Sequence, residues 1–320
     1  MKTIAVITRA HSASHIFRPR AFFMAKKTWL PYNQFMAIKF SIIVLTYNSE
    51  RYVDTLIKSI YEHNTNEDFE IIVVDNNSTD DTVKKVLSIK YKVSSIKLIL
   101  NKENTGFAKG INIGAKEARG EYLLFINPDT EWKSGSIENF VSMFESDSNV
   151  GVIGGKILAK NGETEKSAGR FLKTTEVFLM TLGLDEALGV RFSPNKKQGV
   201  DFLSGGFMAV RKDLFEKLSG FDENLFMYVE DMEFCFRVQK TGMKILFEPF
   251  VQIIHESHGS SSRSFAIQNI YKGLLYFHKK HGTSMSYSAV KLMLTTKAGL
   301  LVLIGKIMNN KYLTDSYSKL

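Results

Sequence analysis

Tyr122-Leu123-Leu124-Phe125-Ile126-Asn127-Pro128-Asp129-Thr130 begins as a buried strand and stops abruptly. Five apolar residues follow one another without a polar break, the pattern of a strand covered on both faces. Pro128 removes a backbone donor and fixes φ, so the strand cannot continue through it. Asp129 is thereby delivered at the C-terminal end of a strand, where open α/β sheets place their ligand crevice. Asn-Pro-Asp is also an ordinary turn sequence, because each residue favours turns for local reasons. The surrounding sequence decides between the two.

Three similar strand ends precede it. Ser41-Ile42-Ile43-Val44-Leu45-Thr46 runs into Tyr47-Asn48-Ser49, after which Val53, Leu56, Ile57, Ile60 and Tyr61 mark one face of a helix. Glu70-Ile71-Ile72-Val73-Val74 ends in Asp75-Asn76-Asn77-Ser78-Thr79, which supplies N-cap residue types for a helix carrying Val83, Val86 and Leu87. Residues 96–100 lead through Asn104-Thr105-Gly106 into a helix that reaches about Ala118. Alternating strands and helices of this length imply βαβ units: an α/β fold with a mostly parallel sheet flanked by helices. The four polar strand ends then converge on one rim, which raises Asp129 from turn residue to candidate ligand.

Downstream, Ser136 to Glu145 reads as a helix, Val150 to Gly154 as a strand, and Thr175 to Leu188 as a helix. Val200 to Val210 is strand-like around Gly205-Gly206, a pair that lets another group approach the backbone closely. Lys212 to Leu218 fits a short helix closed by Gly220. Glu230 and Asp231 occupy the first turn of a helix on which Met232, Cys235, Phe236 and Gln239 share helical spacing; the helix dipole favours carboxylates there in any case. Met243 to Phe247 and Phe250 to Ile254 suggest two closing strands, followed by His255. Val290, Leu294, Leu301, Ile304 and Met308 trace a last apolar line.

The chain has 320 residues, enough for one large domain with appendages. Its single cysteine, Cys235, excludes an internal disulfide framework and a Cys-based zinc site, and suits a reducing compartment. Five apolar residues near the N-terminus are too few for a signal peptide, and no uncharged apolar run approaches the roughly 20 residues of a membrane span. A cytoplasmic chain is expected. The net charge of +9 is uneven: residues 1–40 hold seven Lys or Arg and no acid, and residues 265–320 hold eight Lys against Asp315 alone. Basic, partly apolar flanks around an acidic centre suit an anionic membrane face better than nucleic acid. Nucleic acid is therefore not expected as a partner.

Gly106, Gly110 and Gly114 do not have the spacing of a dinucleotide fingerprint, and no Gly-Lys-Ser/Thr phosphate loop occurs. Gly106 and Gly110 read more simply as close-packing residues at a helix start. The rim offers Asp75, Lys109, Asp129, Asp231 and His255. One carboxylate with one imidazole can hold a hard divalent ion if phosphate oxygens complete its shell. A second carboxylate from another segment can act as general base.

Ser41–Glu50, Val73–Thr82, Asn104–Gly114, Asn127-Pro128-Asp129 and Gly205–Arg237 resemble, in order, the motifs of the family 2 glycosyltransferases with the GT-A fold, in particular the bacterial rhamnosyltransferase-like branch. The resemblance runs from about Ser41 to Ser262. Residues 1–40, rich in Phe, Met and basic residues without a clean period, read as a basic N-terminal extension; the resemblance implies a catalytic domain over 41–263 and a C-terminal helical region over 264–320. Thr46, Tyr47, Asn48, Asp75, Asn76, Gly106, Lys109, Asn112 and Asn127 would line the donor site. Asn127-Pro128-Asp129 stands where the family has Asp-x-Asp, so Asp129 would be the direct ligand of Mg²⁺ or Mn²⁺. His255 would be the late histidine that reaches the metal, with His258 as a rival. Asp231 would be the base of an inverting transfer, with Gly205, Gly206 and Glu230 on the acceptor side. The implied substrates are a nucleoside diphosphate sugar, dTDP-L-rhamnose or a UDP-sugar, and a glycan or polyprenyl-diphosphate-linked acceptor. That is an enzyme adding one sugar in cell-surface polysaccharide synthesis, at the inner face of the membrane. The alternatives are a hexosyltransferase of the same family with another donor, or a non-catalytic nucleotide-sugar-binding protein.

Overall fold

The apolar run that ends at Thr46 forms the centre of a nine-stranded sheet in the computed structural model, which describes residues 38–65, 68–90, 95–256 and 262–318. The basic segment 1–37 and the alternative ligand His258 lie outside the described residues. The chain runs β1 (Phe40–Thr46), α1 (Val53–His63), β2 (Phe69–Asp75), α2 (Thr82–Lys90), β3 (Ile96–Leu100), α3 (Gly106–Lys116) and β4 (Tyr122–Ile126). It continues through β5 (Thr130–Ser134), α4 (Ile137–Ser146), β6 (Val150–Ala159), β7 (Ala168–Gly169), α5 (Thr174–Thr181), β8 (Arg191–Phe192), β9 (Gln198–Gly199), β10 (Phe202–Leu203) and β11 (Phe207–Arg211). It closes with α6 (Lys212–Lys217), α7 (Glu230–Lys240), β12 (Lys244–His255), α8 (Arg263–His281), α9 (Ser284–Ile307) and α10 (Lys311–Tyr317).

The sheet order is β3-β2-β1-β4-β11-β6-β12-β5, with β9 also on β12. From β3 to β4 all pairings are parallel, and β6 and β12 are parallel again. The antiparallel strand β11 lies between β4 and β6. In register, Thr46 faces Asp75, Asp75 faces Leu100, and Val44 faces Ile126, so the C-terminal ends of these strands form one rim. β1, β2 and β4 are buried along almost their whole length, with one core on each face of the sheet. Helix α3 lies close on that sheet because it has glycines where side chains would collide. A methyl at Gly110 would overlap Leu45, and one at Gly114 would press on Ile43 and Val74.

Several elements differ from the sequence expectation, each for a local reason. The strand β5 begins directly after Asp129; its five residues alternate buried and exposed around Trp132, too short and polar a pattern to stand out. The expected strand over 200–210 is two strands separated by a turn at Ser204-Gly205-Gly206. The two expected closing strands are one, β12, whose register shifts between Glu248 and Gln252; Pro249 removes a donor there without ending the strand. Helix α5 stops at Thr181, just before Gly183 turns the chain at φ 70°. The buried face of α7 is Met232, Glu233, Phe234, Cys235 and Val238, leaving Gln239 exposed. In α9 Val290 and Leu294 are buried, whereas Met308, just beyond it, is 67% exposed. Although Lys291, Lys297 and Lys306 interrupt any uncharged run, α9 is long and apolar enough to cross a membrane by length and composition.

Replacing Gly110 by Ala should lower the unfolding free energy by about 1–2 kcal/mol, overpacking against Leu45 outweighing the roughly 1 kcal/mol that alanine gains in a helix. Urea denaturation of the two proteins measures the difference, and equal midpoints would contradict the close packing.

Candidate active site

Two loops at the rim hold each other through short polar side chains. Thr46 Oγ1 donates to Asp75 Oδ1 at 2.9 Å, and Ser78 donates to the same carboxylate through its amide at 2.8 Å and its hydroxyl at 2.6 Å. Asp75 is thus buried and fixed in orientation, with Tyr47 half-buried beside it in sequence. Asn48 adopts a positive φ of 51°, accepts the Thr79 amide at 2.8 Å and donates its own amide to Ser78 Oγ at 2.9 Å. These contacts clip the loop after β1 to the loop after β2.

Not every expected donor residue presents a free side chain. The amide of Asn76 accepts from Asn101 at 2.7 Å and Thr105 at 3.1 Å and donates to the Gly106 carbonyl at 3.1 Å. Its side chain holds the β3–α3 loop. Asn112 points away from the loops of β1 and β2: its Nδ2 donates to the Phe221 carbonyl at 2.8 Å, and its Oδ1 accepts the Phe221 amide at 2.9 Å. It clamps the 221–224 segment onto α3. Lys109 is solvent-exposed, and Gly106 takes φ 81° where the Phe226 carbonyl crosses the start of the helix.

Asp129 and His255 meet at adjacent strand ends, because Thr130 pairs with His255 in the β5–β12 ladder. His255 Nε2 lies 3.3 Å from Asp129 Oδ2, and its Nδ1 lies 3.1 Å from Glu165. Burial alone would lower the imidazole pKa; the two carboxylates outweigh it and push the group up to about 10. Glu165 was not legible in the sequence, since it comes from the β6–β7 connection, 90 residues from His255. The described residues contain no cluster of three or more metal-ligating side chains. A pair with a second carboxylate orienting the imidazole nevertheless fits an ion that takes its remaining oxygens from phosphate and water.

The third part of the site is Asp231 in the first turn of α7. Its Oδ2 accepts the Gly205 amide at 3.0 Å, and its Oδ1 accepts the Met232 amide at 2.7 Å. One residue on, the Gly206 carbonyl accepts the Asn127 amide at 3.0 Å, and a Cβ on Gly206 would lie 2.8 Å from Asn127 Nδ2. The 204–206 turn therefore links the Asn-Pro-Asp loop to Asp231. Burial raises the Asp231 pKa, partly offset by those two amides. Glu230 is more deeply buried and is raised well above the ordinary carboxyl range by burial and by Asp231. Its Oε2 has no hydrogen-bond partner among the described residues. Tyr228 and Val229, immediately before, both take positive φ, 69° and 72°. For a β-branched residue this is strained backbone, of the kind that collects at functional sites. Sequence pattern gives no sign of it, as both residues normally avoid that region.

Beside this rim lies a cleft of about 680 Å³ lined by Arg51, Tyr52, Asp129, Glu131, Lys160 and Glu256, among others. It shares Asp129 with the strand-end pair but includes neither Asp75 nor Asp231, so it covers only one edge of the candidate site.

The profile of Glycosyl transferase family 2 matches residues 41–219, more than half of the chain. The chain belongs to that family. This glycosyltransferase is 24% identical over 247 residues to an N-acetylglucosaminyl-diphospho-decaprenol L-rhamnosyltransferase of Mycobacterium tuberculosis, covering 69% of this chain and 77% of the relative. It is 26% identical over 237 residues to the rhamnosyltransferase WbbL of Escherichia coli K12, covering 70% and 85%. Its fold is similar to that of the mannosyltransferase PcManGT of Pyrobaculum calidifontis, solved with GDP-Man and Mn²⁺ (TM-score 0.56, 17% identity, 87% of this chain and 84% of that one). It is also similar to Staphylococcus aureus TarS residues 1–349, solved with UDP-GlcNAc (TM-score 0.53, 20% identity, 81% and 71%). The architecture is the GT-A fold, as the order of motifs implied.

Substituting Glu165 by Gln removes one of the two charges that orient His255. On the reading that His255 holds Mn²⁺, activation should then require about 10–100-fold more metal, the usual loss when a partner of a metal-bound histidine is removed. A titration of donor turnover against Mn²⁺ checks this; an unshifted curve would separate Glu165 from the metal.

Proposed function

We propose that this glycosyltransferase is an inverting, metal-dependent hexosyltransferase that adds a single sugar, L-rhamnose, from a nucleoside diphosphate donor to a glycan or polyprenyl-diphosphate-linked acceptor during cell-surface polysaccharide synthesis. Residues 41–263 carry the chemistry. The observation that supports this reading most is the Gly205-Gly206 turn, which brings an Asp231 carboxylate with a raised pKa to the same rim as Asp129 and His255.

In this mechanism Asp75, held by Thr46 and Ser78, meets the base of the donor nucleotide, and Tyr47 and Asn48 border it. The hydroxyl of the acceptor attacks the anomeric carbon from the face opposite the diphosphate. Asp231 takes the hydroxyl proton as the new C–O bond forms and the bond to the diphosphate breaks, giving inversion in one displacement. Asp129 and His255 would hold Mg²⁺ or Mn²⁺, which as a Lewis acid offsets charge on the departing diphosphate. Glu230, whose proton affinity burial and Asp231 both raise, leaves its unpartnered oxygen for the acceptor.

The named activities of the Mycobacterium and Escherichia relatives support rhamnose as the transferred sugar, and dTDP-L-rhamnose is the donor we propose for it. The diphospho-decaprenol acceptor named for the first supports a lipid-linked acceptor here, and with it a peripheral position on the inner membrane face.

Asp231→Asn should reduce transfer by at least about 10²–10⁴-fold, the usual contribution of a general base. Donor binding should survive. In the unsubstituted protein turnover should fall in acid, as Asp231 gains its proton, with a midpoint above the ordinary Asp value of about 3.9. Near-normal turnover in the variant would remove Asp231 from the mechanism.

A panel of dTDP-, UDP- and GDP-sugars tested by thermal unfolding with and without Mn²⁺ should single out dTDP-L-rhamnose, since a ligand bound to the native state raises the unfolding temperature by mass action. A larger, metal-dependent shift with another sugar would replace rhamnose in this reading.

A further inference from the structure

Helix α9 packs on the domain through Val290, Leu294, Ala298 and Gly305, all buried. At 3.6 residues per turn, Met285, Leu292, Leu300, Leu303 and Ile307 fall within an arc of about 80° on the opposite side. All five are more than half exposed. A helix with water on its outer face should carry polar residues there; this one has a second apolar stripe over a length of about 36 Å. Helix α5 packs alongside α9, and Lys297 Nζ donates to the Met180 carbonyl to join them. The α5 segment adds exposed Phe178, Leu182, Leu184 and Leu188. Lys291 and Lys306 flank the stripe on one side, and Lys311 follows at the start of α10; all three are exposed and form no ion pair among the described residues.

We infer that the outer face of α9, with the α5 segment, docks in the plane of a phospholipid bilayer carrying anionic headgroups. This rests on the reading that the acceptor is lipid-linked, and it names the surface that brings the enzyme to it. Apolar side chains flanked by lysines that form no ion pair among the described residues match an interface with hydrocarbon below and negative charge above. The burial of Val290, Leu294 and Ala298 against the domain holds α9 along the protein rather than across the membrane. The placement also suits the chemistry. Helix α5 leaves from Leu172, whose amide donates to Met232 Sδ at 3.4 Å, one residue beyond Asp231, and whose carbonyl meets His278 of α8 at 2.9 Å. The segment that leads into α5 thus bonds to the residue that follows the proposed base and to α8.

The test is co-sedimentation of the full chain with vesicles of phosphatidylcholine, alone or with a third phosphatidylglycerol. Binding should occur on the anionic vesicles and weaken with salt. The double variant Leu300→Ser, Leu303→Ser should lose about tenfold or more in partitioning, from two exposed leucines that no longer enter the interface. Lys291→Gln with Lys306→Gln should lose about fivefold per lysine, and only on anionic vesicles. Equal binding of all variants, or no vesicle binding by the unsubstituted chain, would overturn the inference. So would light scattering that shows a dimer broken by the leucine substitutions without any vesicle binding. Extraction of the bound protein only by detergent, and not by salt or alkali, would replace docking by a spanning α9. Turnover of donor with a water-soluble acceptor, measured without vesicles, should be unchanged in these variants. If no transfer occurs there even in the unsubstituted chain while vesicle binding persists, the activity reading falls and the docking surface stands.

Discussion

The strand β11 runs antiparallel between β4 and β6, and this single insertion organises the site. Its pairing of Phe207 with Ile126 puts the preceding turn beside the end of β4. The Gly206 carbonyl then meets the Asn127 amide, and the Gly205 amide meets Asp231. Small residues keep that turn close. A side chain on Gly206 would meet the side-chain amide of Asn127, and one on Gly205 would crowd the ring of Phe107. The backbone of two residues thus fixes the distance between the carboxylate at the strand end and the one on α7.

The site is polar and buried, and its parts are held by different means. At the loops after β1 and β2, short side chains saturate one another, so that Asp75 is fixed by Thr46 and Ser78 with no ion pair among the described residues. At the strand ends, the carboxylates of Asp129 and Glu165 face the one imidazole of His255 and raise its proton affinity. Around Asp231 two amides and the charge of Arg191 only partly offset burial, which keeps its proton affinity raised and suits a general base better than a permanently ionised carboxylate. The strained Tyr228–Val229 pair is the backbone cost of turning the chain into α7 at that point.

A second set of charges holds α7 against the C-terminal helices. Glu233, fully buried, is met by Arg237 at 2.8 Å, Lys280 at 2.7 Å and His281 at 2.9 Å. Lys280 also reaches Asp222 at 2.6 Å. Removing one partner would leave buried charge uncompensated. Helix α8 is in this way part of the frame that holds Asp231, while α9 lies outside it with an apolar face turned outward.

Local sequence was enough for the elements and for the rim. Uninterrupted apolar runs closed by Thr46-Tyr47-Asn48, Asp75-Asn76 and Asn127-Pro128-Asp129, alternating with helices, read as buried parallel strands with polar ends, so β1, β2, β4 and the position of Asp129 were readable. The ordered motifs carried the family for the same reason: each is a local arrangement with its own chemistry. Other features depend on contacts between distant segments. The turn at 204–206 looks like strand until its pairing with Asn127 is known. Glu165 reaches His255 only because β6 and β12 are neighbours. Asn112 resembles a donor contact in sequence, yet Phe221, folded against α3, occupies its amide. Patterning along one chain records which face of an element is apolar. Which element covers that face, or whether any does, is set by tertiary packing, and on α9 the packing leaves one apolar face open.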